Sequence, residues 1–377
     1  MSKVIYYNPS TMGTCYDEGL ELASRMVRSP VPVDRSGKSN ILNISYDKIP
    51  DSRTSVSFYD ACMSRGVELW KRSMDKPITL FWSGGMDSTV ALFSFLETKT
   101  QSQKLIIRFT KHAIEEYPWL YDKMCKWGDD VITLDQVSEY DLFRCFDDDT
   151  TMFVHGNNID CLFGSSVIKR RPEALDEHWY SIDDWDIVWA ISGDNLASKD
   201  LSANRDKLKR LKMMTFLDFH VLESPYEIKT VYDLYWWLNF SLKWHWLVYC
   251  YPFSYLNSPN FKSQNDFANG KDLQIWSIMN RDNKHKGTWL SYKYELKDFI
   301  YKFTKDADYR DNKEKVKSLV PLNNINAYPH IRTKLGDDKL RLVLDDGRYW
   351  YNKDEIPNEV LNSIKLNTRE TTVDEEV

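Results

Sequence analysis

Residues 78–97 read ITLFWSGGMDSTVALFSFLE and carry the clearest structural signal in the chain. Its first five residues are apolar apart from Thr79 and follow Pro77, which is typical of a buried β-strand. Two glycines and several hydroxyl-bearing residues come next. Asp87 or Ser88 can then cap a helix whose apolar side chains lie on its inner side. The stretch therefore predicts a strand, a glycine turn and a helix in direct succession.

The same alternation of strand and helix continues along the chain. Strand-like runs lie at 104–109, 131–135 and 151–154, with helical patterns between them at 115–127 and 138–146. This order predicts an α/β fold with an open parallel sheet and helices on both faces. Beyond residue 170 long aromatic segments predict a helical C-terminal half, and residues 339–351 predict a small terminal β-hairpin that turns at DDG.

Composition excludes several classes of protein. The 377 residues are 42% hydrophobic and 28% charged, an ordinary globular mixture, and the net charge of −6 provides no global attraction to nucleic acid or to an anionic membrane. The six cysteines include no CxxC pair, so we expect free thiols, no structural zinc site and a cytoplasmic location. Residues 234–253 form the longest apolar run, but Asn239, Lys243 and His245 within it favour a buried core helix over a membrane span.

Changes in composition along the chain predict five parts. They are an N-terminal extension (1–76), an α/β core (77–170), a helical half (171–330), a hairpin-containing region (331–366) and a disordered acidic tail (367–377).

The glycine turn has the features of an anion site. Without side chains, its two glycines let successive backbone N–H groups converge on one anion, and the helix that follows adds the positive end of its dipole. Neighbouring hydroxyls are further donors, and a carboxylate is a hard ligand for Mg²⁺. The turn is not a Walker P-loop, because the GK[ST] ending is missing. The predicted binding residues are Ser83, Gly84, Gly85, Met86, Asp87, Ser88 and Thr89.

This turn resembles the PP-loop of the ATP pyrophosphatase superfamily, whose pattern is SGGxDS after a hydrophobic strand. All five fixed positions of the pattern match. The resemblance implies that the loop binds the pyrophosphate part of ATP, and that the enzyme uses Mg²⁺ and cleaves ATP to AMP and pyrophosphate to adenylate a substrate. A tight glycine turn between a strand and a helix is the alternative interpretation.

A second segment, HGNNIDCLFGSS at 155–166, is similar to the G-x-x-x-D-x-L-F-G motif of asparagine synthetase-like synthetase domains. The resemblance implies that Gly156 and Asp160 face the ATP phosphates and that Asp160 joins Asp87 as a metal ligand. Asn157 and Cys161 depart from the family pattern, where acidic and Glu or Gln residues are usual. An ordinary strand-loop-helix corner remains an alternative, and the segment ISGDNLAS at 191–198 is a rival.

The family also closes its site with basic residues from the helical half. Residues 291–319 resemble that region, with Lys293 and Lys297 one helical turn apart and Lys313 and Lys315 in a loop. A lysine over the α-phosphate would stabilise the charge that grows as pyrophosphate leaves. Lys313 is the first candidate for that catalytic role and Lys315 the second. A solvated helix face with alternating charges is the alternative.

These features predict an adenylating ligase of asparagine synthetase-like type that joins a small carboxylate or amino acid to a nitrogen nucleophile. The roughly 76 residues before the first strand are too few for a glutaminase domain, so we expect the nitrogen to come from free ammonia, from an amine on the substrate or from a partner. We expect no membrane partner; homo-oligomerisation stays open, and compact stand-alone relatives of this kind suggest a phage or bacterial gene cluster.

Two alternatives differ in function. One is a nucleotide-binding protein that has lost turnover, and the other is a PP-loop enzyme that modifies a nucleobase or tRNA, with Cys161 as a thiol. The basic segment at 199–212 carries two aspartates, which favours a solvated helix face over a nucleic-acid contact. The aromatic segment at 236–246 favours core packing, and a wall for a planar ligand is its functional alternative.

Overall fold

The structure is a computed structural model of the 377-residue chain. It describes residues 54–137, 150–156, 159–164, 176–179, 213–244, 265–285 and 292–313, isolated positions at 20, 23, 24, 26, 34, 35 and 49–51, and the backbone of 342–343 and 349–350.

Four parallel strands form the central sheet, in the spatial order β3-β2-β1-β4. Residue for residue, Ile78 of β1 pairs with Leu105 of β2 on one side and with Met152 of β4 on the other. The first three residues of β1 are all buried, as expected for a central strand with both faces covered. The strands are β1 (Ile78–Phe81), β2 (Leu105–Phe109), β3 (Thr133–Gln136) and β4 (Met152–Val154). The predicted α/β class with a parallel sheet is confirmed.

Helices connect and cover these strands. In the part of the chain that precedes residue 170 they are α1 (Phe58–Ser73), α2 (Met86–Thr98), α3 (Lys111–Glu116), α4 (Pro118–Met124) and α5 (Ile159–Phe163). The pattern at 115–127 is divided at Tyr117, because Pro118 cannot continue a helix and instead begins the next one. The predicted helix at 138–146 lies outside the described residues.

The strand order places one topological switch point in the sheet. From β1 the chain moves outward through β2 to β3 and then returns to the far side of β1 as β4. The connections that leave β1 and β4 therefore diverge at the carboxyl edge of the sheet. Such a crevice is where ligands bind in open α/β sheets.

The second half of the described chain is helical. Residues 213–220 are helical, as are α6 (Val231–Leu238), α7 (Lys271–Met279), α8 (Tyr294–Thr304) and α9 (Ala307–Asn312), and a π-helical turn (Asn239–Lys243) follows α6. α8 packs on α2, and α7 packs on α1. Trp236, Trp237 and Trp244 are buried, so the described part of the aromatic segment is core.

Two short strands, β5 (Leu342–Val343) and β6 (Tyr349–Trp350), pair antiparallel within the predicted hairpin region. The turn between them lies outside the described residues. Among the described residues, no helix has both the length and the apolar character needed to cross a membrane.

Candidate functional site

The glycine turn leaves β1 and closes on itself through hydroxyl groups. The Ser83 N–H donates to Ser88 Oγ at 3.1 Å, and the Gly85 N–H donates to Ser83 Oγ at 3.3 Å. Gly84 has φ +73°, and a Cβ there would lie 2.3 Å from the carbonyl oxygen of Ala113. Only glycine can occupy this position without moving the start of α3.

The first turn of α2 faces the crevice. Its N-cap, Gly85, has no side chain to accept from the first N–H groups of the helix, so these groups depend on other acceptors, for which an anion is suitable. Ser83, Gly85, Met86 and Asp87 are partly exposed there. Thr89 is fully buried, accepts from Trp82 Nε1 at 3.0 Å and donates to the Gly85 oxygen at 2.9 Å. Thr89 therefore stabilises the turn from its buried side.

The second predicted segment lies directly against this turn. β4 ends at Val154, and Gly156 follows with its Cα against the backbone of the turn. A Cβ on Gly156 would lie 3.0 Å from the Asp87 carbonyl oxygen and 3.3 Å from the Ser88 nitrogen. The absence of a side chain at Gly156 thus lets the two connections at the switch point meet. Asn157 lies outside the described residues.

One lysine joins the two predicted metal ligands. Lys293 Nζ lies 2.7 Å from Asp87 Oδ1 and 3.0 Å from Asp87 Oδ2, and it also forms an ion pair with Asp160 Oδ1. Lys293 is buried, while both carboxylates are partly exposed. Burial alone would lower the pKa of Lys293, but the charges of Asp160 and Asp87 raise it above its ordinary value. The ammonium group is therefore charged at neutral pH.

The first candidate from sequence, Lys313, has a different partner. Its Nζ lies 2.8 Å from Glu116 Oε1 and donates to the Glu116 carbonyl oxygen at 3.0 Å. This pair stands beside the turn, because a Cβ on Gly84 would lie 2.8 Å from the Glu116 Cβ. Lys297 is buried one turn after Lys293, and Lys315 lies outside the described residues. The structure thus brings Lys293, rather than Lys313, to Asp87 and Asp160.

Cys161 is fully buried next to Asp160, and burial raises the pKa of its thiol to about 12. A nucleophilic thiol must ionise, so this environment does not support the thiol chemistry considered from the sequence. Among the cysteines that the structure describes, Cys62, Cys125 and Cys161 are free.

A buried acid and a buried histidine lie behind the turn, and no sequence pattern predicted that they would meet. His155 Nδ1 is 4.0 Å from Asp266 Oδ2, and the Phe267 N–H donates to the His155 carbonyl oxygen at 2.8 Å. Burial lowers the pKa of His155 to about 4 and raises that of Asp266 to about 8. Both side chains are therefore mainly uncharged at neutral pH.

Asp87 and Asp160 fit the role of carboxylate ligands to a Mg²⁺ ion that also binds phosphate. Mg²⁺ on phosphate ligands commonly takes only one or two protein carboxylates, and Asp87 and Asp160 converge on a single cation, the Lys293 ammonium. A search of the described residues finds no cluster of three or more His, Cys, Asp or Glu side chains that could hold a metal by itself. Phosphate oxygens or water would have to complete the coordination.

Comparisons with protein-family models, with curated proteins and with solved structures found no match.

Proposed function

We propose that the protein is an adenylating enzyme of PP-loop type, which cleaves ATP to AMP and pyrophosphate. One observation carries this proposal: the SGGMDS turn lies at the carboxyl end of the central parallel strand, at the switch point, in contact with Gly156. An anion there would meet backbone N–H groups, hydroxyls and a helix N-terminus together.

The pyrophosphate part of ATP would lie on residues 83–88. Ser83 offers a partly exposed hydroxyl, and the uncapped first turn of α2 offers N–H groups, while the buried Ser88 hydroxyl donates to the Gly85 carbonyl oxygen within the turn. Gly84 lets the turn pack closely against α3, and Gly156 lets the chain after β4 pack closely against the turn. Such a site acts by holding the phosphates in one orientation, so that the α-phosphorus is presented to the attacking group.

Asp87 and Asp160 would hold Mg²⁺ together with phosphate oxygens. When bound, the ion would neutralise the negative charge that accumulates on the departing pyrophosphate. Asp160 belongs to α5 and Asp87 to α2, so the two helices that diverge from the switch point would each supply one ligand.

Lys293 takes the role that sequence analysis first gave to Lys313. Its charged ammonium already lies between the two carboxylates, and a modest movement of a lysine side chain can bring such a group onto a phosphate oxygen. A fixed positive charge near the α-phosphate stabilises the transition state more than the ground state, because negative charge increases there during cleavage.

The chemistry has two steps. A carboxylate oxygen of the substrate attacks the α-phosphorus, the bond to the bridging oxygen breaks, and pyrophosphate leaves with the bonding electrons. A nitrogen nucleophile, ammonia or an amine, then attacks the acyl carbon; AMP leaves with the electrons of the C–O bond, and the nitrogen releases a proton. The substrate class proposed is a small carboxylate or an amino acid.

Product analysis tests this function. The protein is incubated with ATP, Mg²⁺ and fractionated metabolites containing carboxylates and amines, and the nucleotides are separated. AMP and pyrophosphate that disappear in Asp87→Asn support the proposal. ADP and phosphate from a pure preparation would contradict the PP-loop assignment.

A nucleotide-binding protein without turnover is the second candidate. It is favoured by the departures at Asn157 and Cys161 and by the Lys293 ammonium, which already occupies the space between the carboxylates. ATP binding that persists in Asp87→Asn, with no AMP formed by either protein from any fraction, would favour this candidate.

A further inference from the structure

Lys284 is a fully buried lysine held by two aromatic rings. Its Nζ lies 3.7 Å from the centre of the Trp236 ring and donates to the Tyr226 hydroxyl at 3.2 Å. The Tyr226 ring stacks on Trp236 with the centroids 4.5 Å apart. Buried lysines are rare, and this one has a donor-acceptor contact and a ring face that fix where its amine lies.

The backbones of Lys284 and Lys293 are joined by a hydrogen bond. The Lys293 N–H donates to the Lys284 carbonyl oxygen at 3.1 Å. Lys293 itself has φ +58°, a left-handed conformation that a residue with a side chain adopts only when its surroundings enforce it. α8 begins at the next residue. The direction in which the Lys293 side chain leaves the backbone therefore depends on this bond.

The same aromatic helix also holds the helix of Asp160. Trp236 Nε1 donates to Ser277 Oγ at 2.9 Å, and the Ser277 hydroxyl donates to the Leu162 carbonyl oxygen at 2.6 Å. Leu162 lies in α5, two residues after Asp160. Tyr232, one turn before Trp236, donates to the carbonyl oxygen of Phe163 in the same helix. α6 is thus connected both to the Asp160 helix and, through Lys284, to Lys293.

We infer that Lys284 is a positioning residue, which fixes Lys293 against Asp87 and Asp160 by anchoring the chain on the Tyr226–Trp236 pair. The catalytic role of Lys293 rests on the proposed function, but the anchoring does not. An apolar residue at 284 could pack on Trp236, yet it could not donate to the Tyr226 hydroxyl. In this way Trp236 of the buried aromatic segment contributes to the position of Lys293 in the site.

Hydrogen exchange tests the anchoring without reference to activity. Amide exchange of residues 292–297 is measured in the wild type, in Lys284→Met and in Lys229→Met, the last an exposed lysine before α6 whose side chain pairs only with Glu227 among the described contacts. Weakening one hydrogen bond corresponds to exchange about fivefold faster. We expect this acceleration in Lys284→Met alone, with exchange of α1 unchanged. Equal exchange of residues 292–297 in all three proteins overturns the inference.

Two further variants separate anchoring from damage to the core. Tyr226→Phe keeps the ring stack and removes only the acceptor, so it should also accelerate exchange of residues 292–297. This variant can be measured even if Lys284→Met does not fold. Lys284→Arg retains a donor and should restore slower exchange than Lys284→Met. Normal exchange in Tyr226→Phe contradicts the role of the hydroxyl.

Turnover is the second readout. If Lys293 stabilises the transition state, its displacement in Lys284→Met lowers kcat by about tenfold to a hundredfold and leaves the KM for ATP nearly unchanged. A raised KM with an unchanged kcat overturns positioning at the reacting phosphate. If the wild type forms no AMP at all, the proposed function fails, while the exchange experiment still decides whether Lys284 anchors Lys293.

Discussion

Lys293 and Asp87 lie 206 positions apart in the chain, yet the lysine Nζ is 2.7 Å from the aspartate Oδ1. This ion pair joins the start of α8 to the first turn of α2, and Asp160 adds a second carboxylate to the same ammonium. The ammonium is buried and pairs with both carboxylates. Removing any one of these three charged groups therefore costs more stability than breaking an exposed ion pair.

Replacement of Lys293 should slow turnover strongly while nucleotide binding persists. Loss of one preorganised charge at a reacting centre typically lowers kcat by about a hundredfold to a thousandfold, and we expect this range for Lys293→Met. The measurement is the rate of AMP formation under saturating ATP. Lys302→Met, on the exposed face of the same helix, is the matched control and should keep the wild-type rate. Equal rates in the two variants would exclude Lys293 from catalysis.

A divalent cation should compete with Lys293 for Asp87 and Asp160. In the wild type the ammonium neutralises these carboxylates, so a metal without nucleotide must displace it. Lys293→Met removes the positive charge between the two carboxylates, and we expect its affinity for Mn²⁺ alone to rise by about tenfold or more. Electron paramagnetic resonance of free Mn²⁺ measures this directly. The double variant Lys293→Met/Asp160→Asn should lose the gain; an unchanged affinity in Lys293→Met would mean that the carboxylates are not a metal site.

The sequence predicted the sheet because its signals are local. β1 and α2 follow from an apolar run, two glycines and helical periodicity within twenty residues, and the structure places them within two residues of the predicted bounds. The choice among the lysines was not predictable in this way. Local sequence does not show which of Lys293 and Lys313 reaches the site, because their partners, Asp87 and Glu116, are fixed only by tertiary packing. The left-handed conformation of Lys293 was not predictable either, because that conformation is usually indicated by a glycine or an asparagine and here the residue is a lysine.

The aromatic segment at 236–246 also shows that local sequence predicts burial but not tertiary contacts. Its aromatic composition favoured packing in the core, and Trp236, Trp237 and Trp244 are buried in the part that the structure describes. No local pattern indicates that Trp236 faces Lys284, because that contact needs the chain to return after more than forty residues.

Gly156→Ala should weaken ATP binding. The added methyl group would lie 3.0 Å from the Asp87 carbonyl oxygen and 3.3 Å from the Ser88 nitrogen, so the turn or β4 must move. Overpacking against backbone costs about 1–3 kcal/mol, and here the displaced atoms are those of the turn. Isothermal titration with ATP and thermal unfolding measure both effects. Gly128→Ala is the control, because its methyl group would meet only the carboxyl group of Asp130. Wild-type affinity in Gly156→Ala would show that the turn tolerates displacement.

The buried acid Asp266 should make stability depend on pH in an unusual direction. Burial raises the pKa of Asp266 to about 8, opposed by a hydrogen bond from the Ala268 N–H and by the charge of Arg65, while the charge of Asp87 adds to the rise. His155 faces it, and burial lowers the pKa of that imidazole to about 4, so the histidine supplies no compensating charge at neutral pH. The folded protein therefore keeps the Asp266 carboxyl protonated where the unfolded chain ionises it.

The sign follows from proton binding. Between the ordinary pKa of an aspartate, 3.8, and about 8, the folded state binds more protons than the unfolded state, so this contribution to stability is greatest at low pH and is lost as pH rises through 8. The slope approaches about 1.4 kcal/mol per pH unit for one proton. Asp266→Asn keeps an oxygen to accept from Ala268 and cannot ionise. We therefore expect the free energy of unfolding of the wild type, minus that of Asp266→Asn, to fall steadily from pH 5 to pH 8 in urea titrations. A difference that stays constant or rises over this range would mean that Asp266 ionises normally in the folded protein.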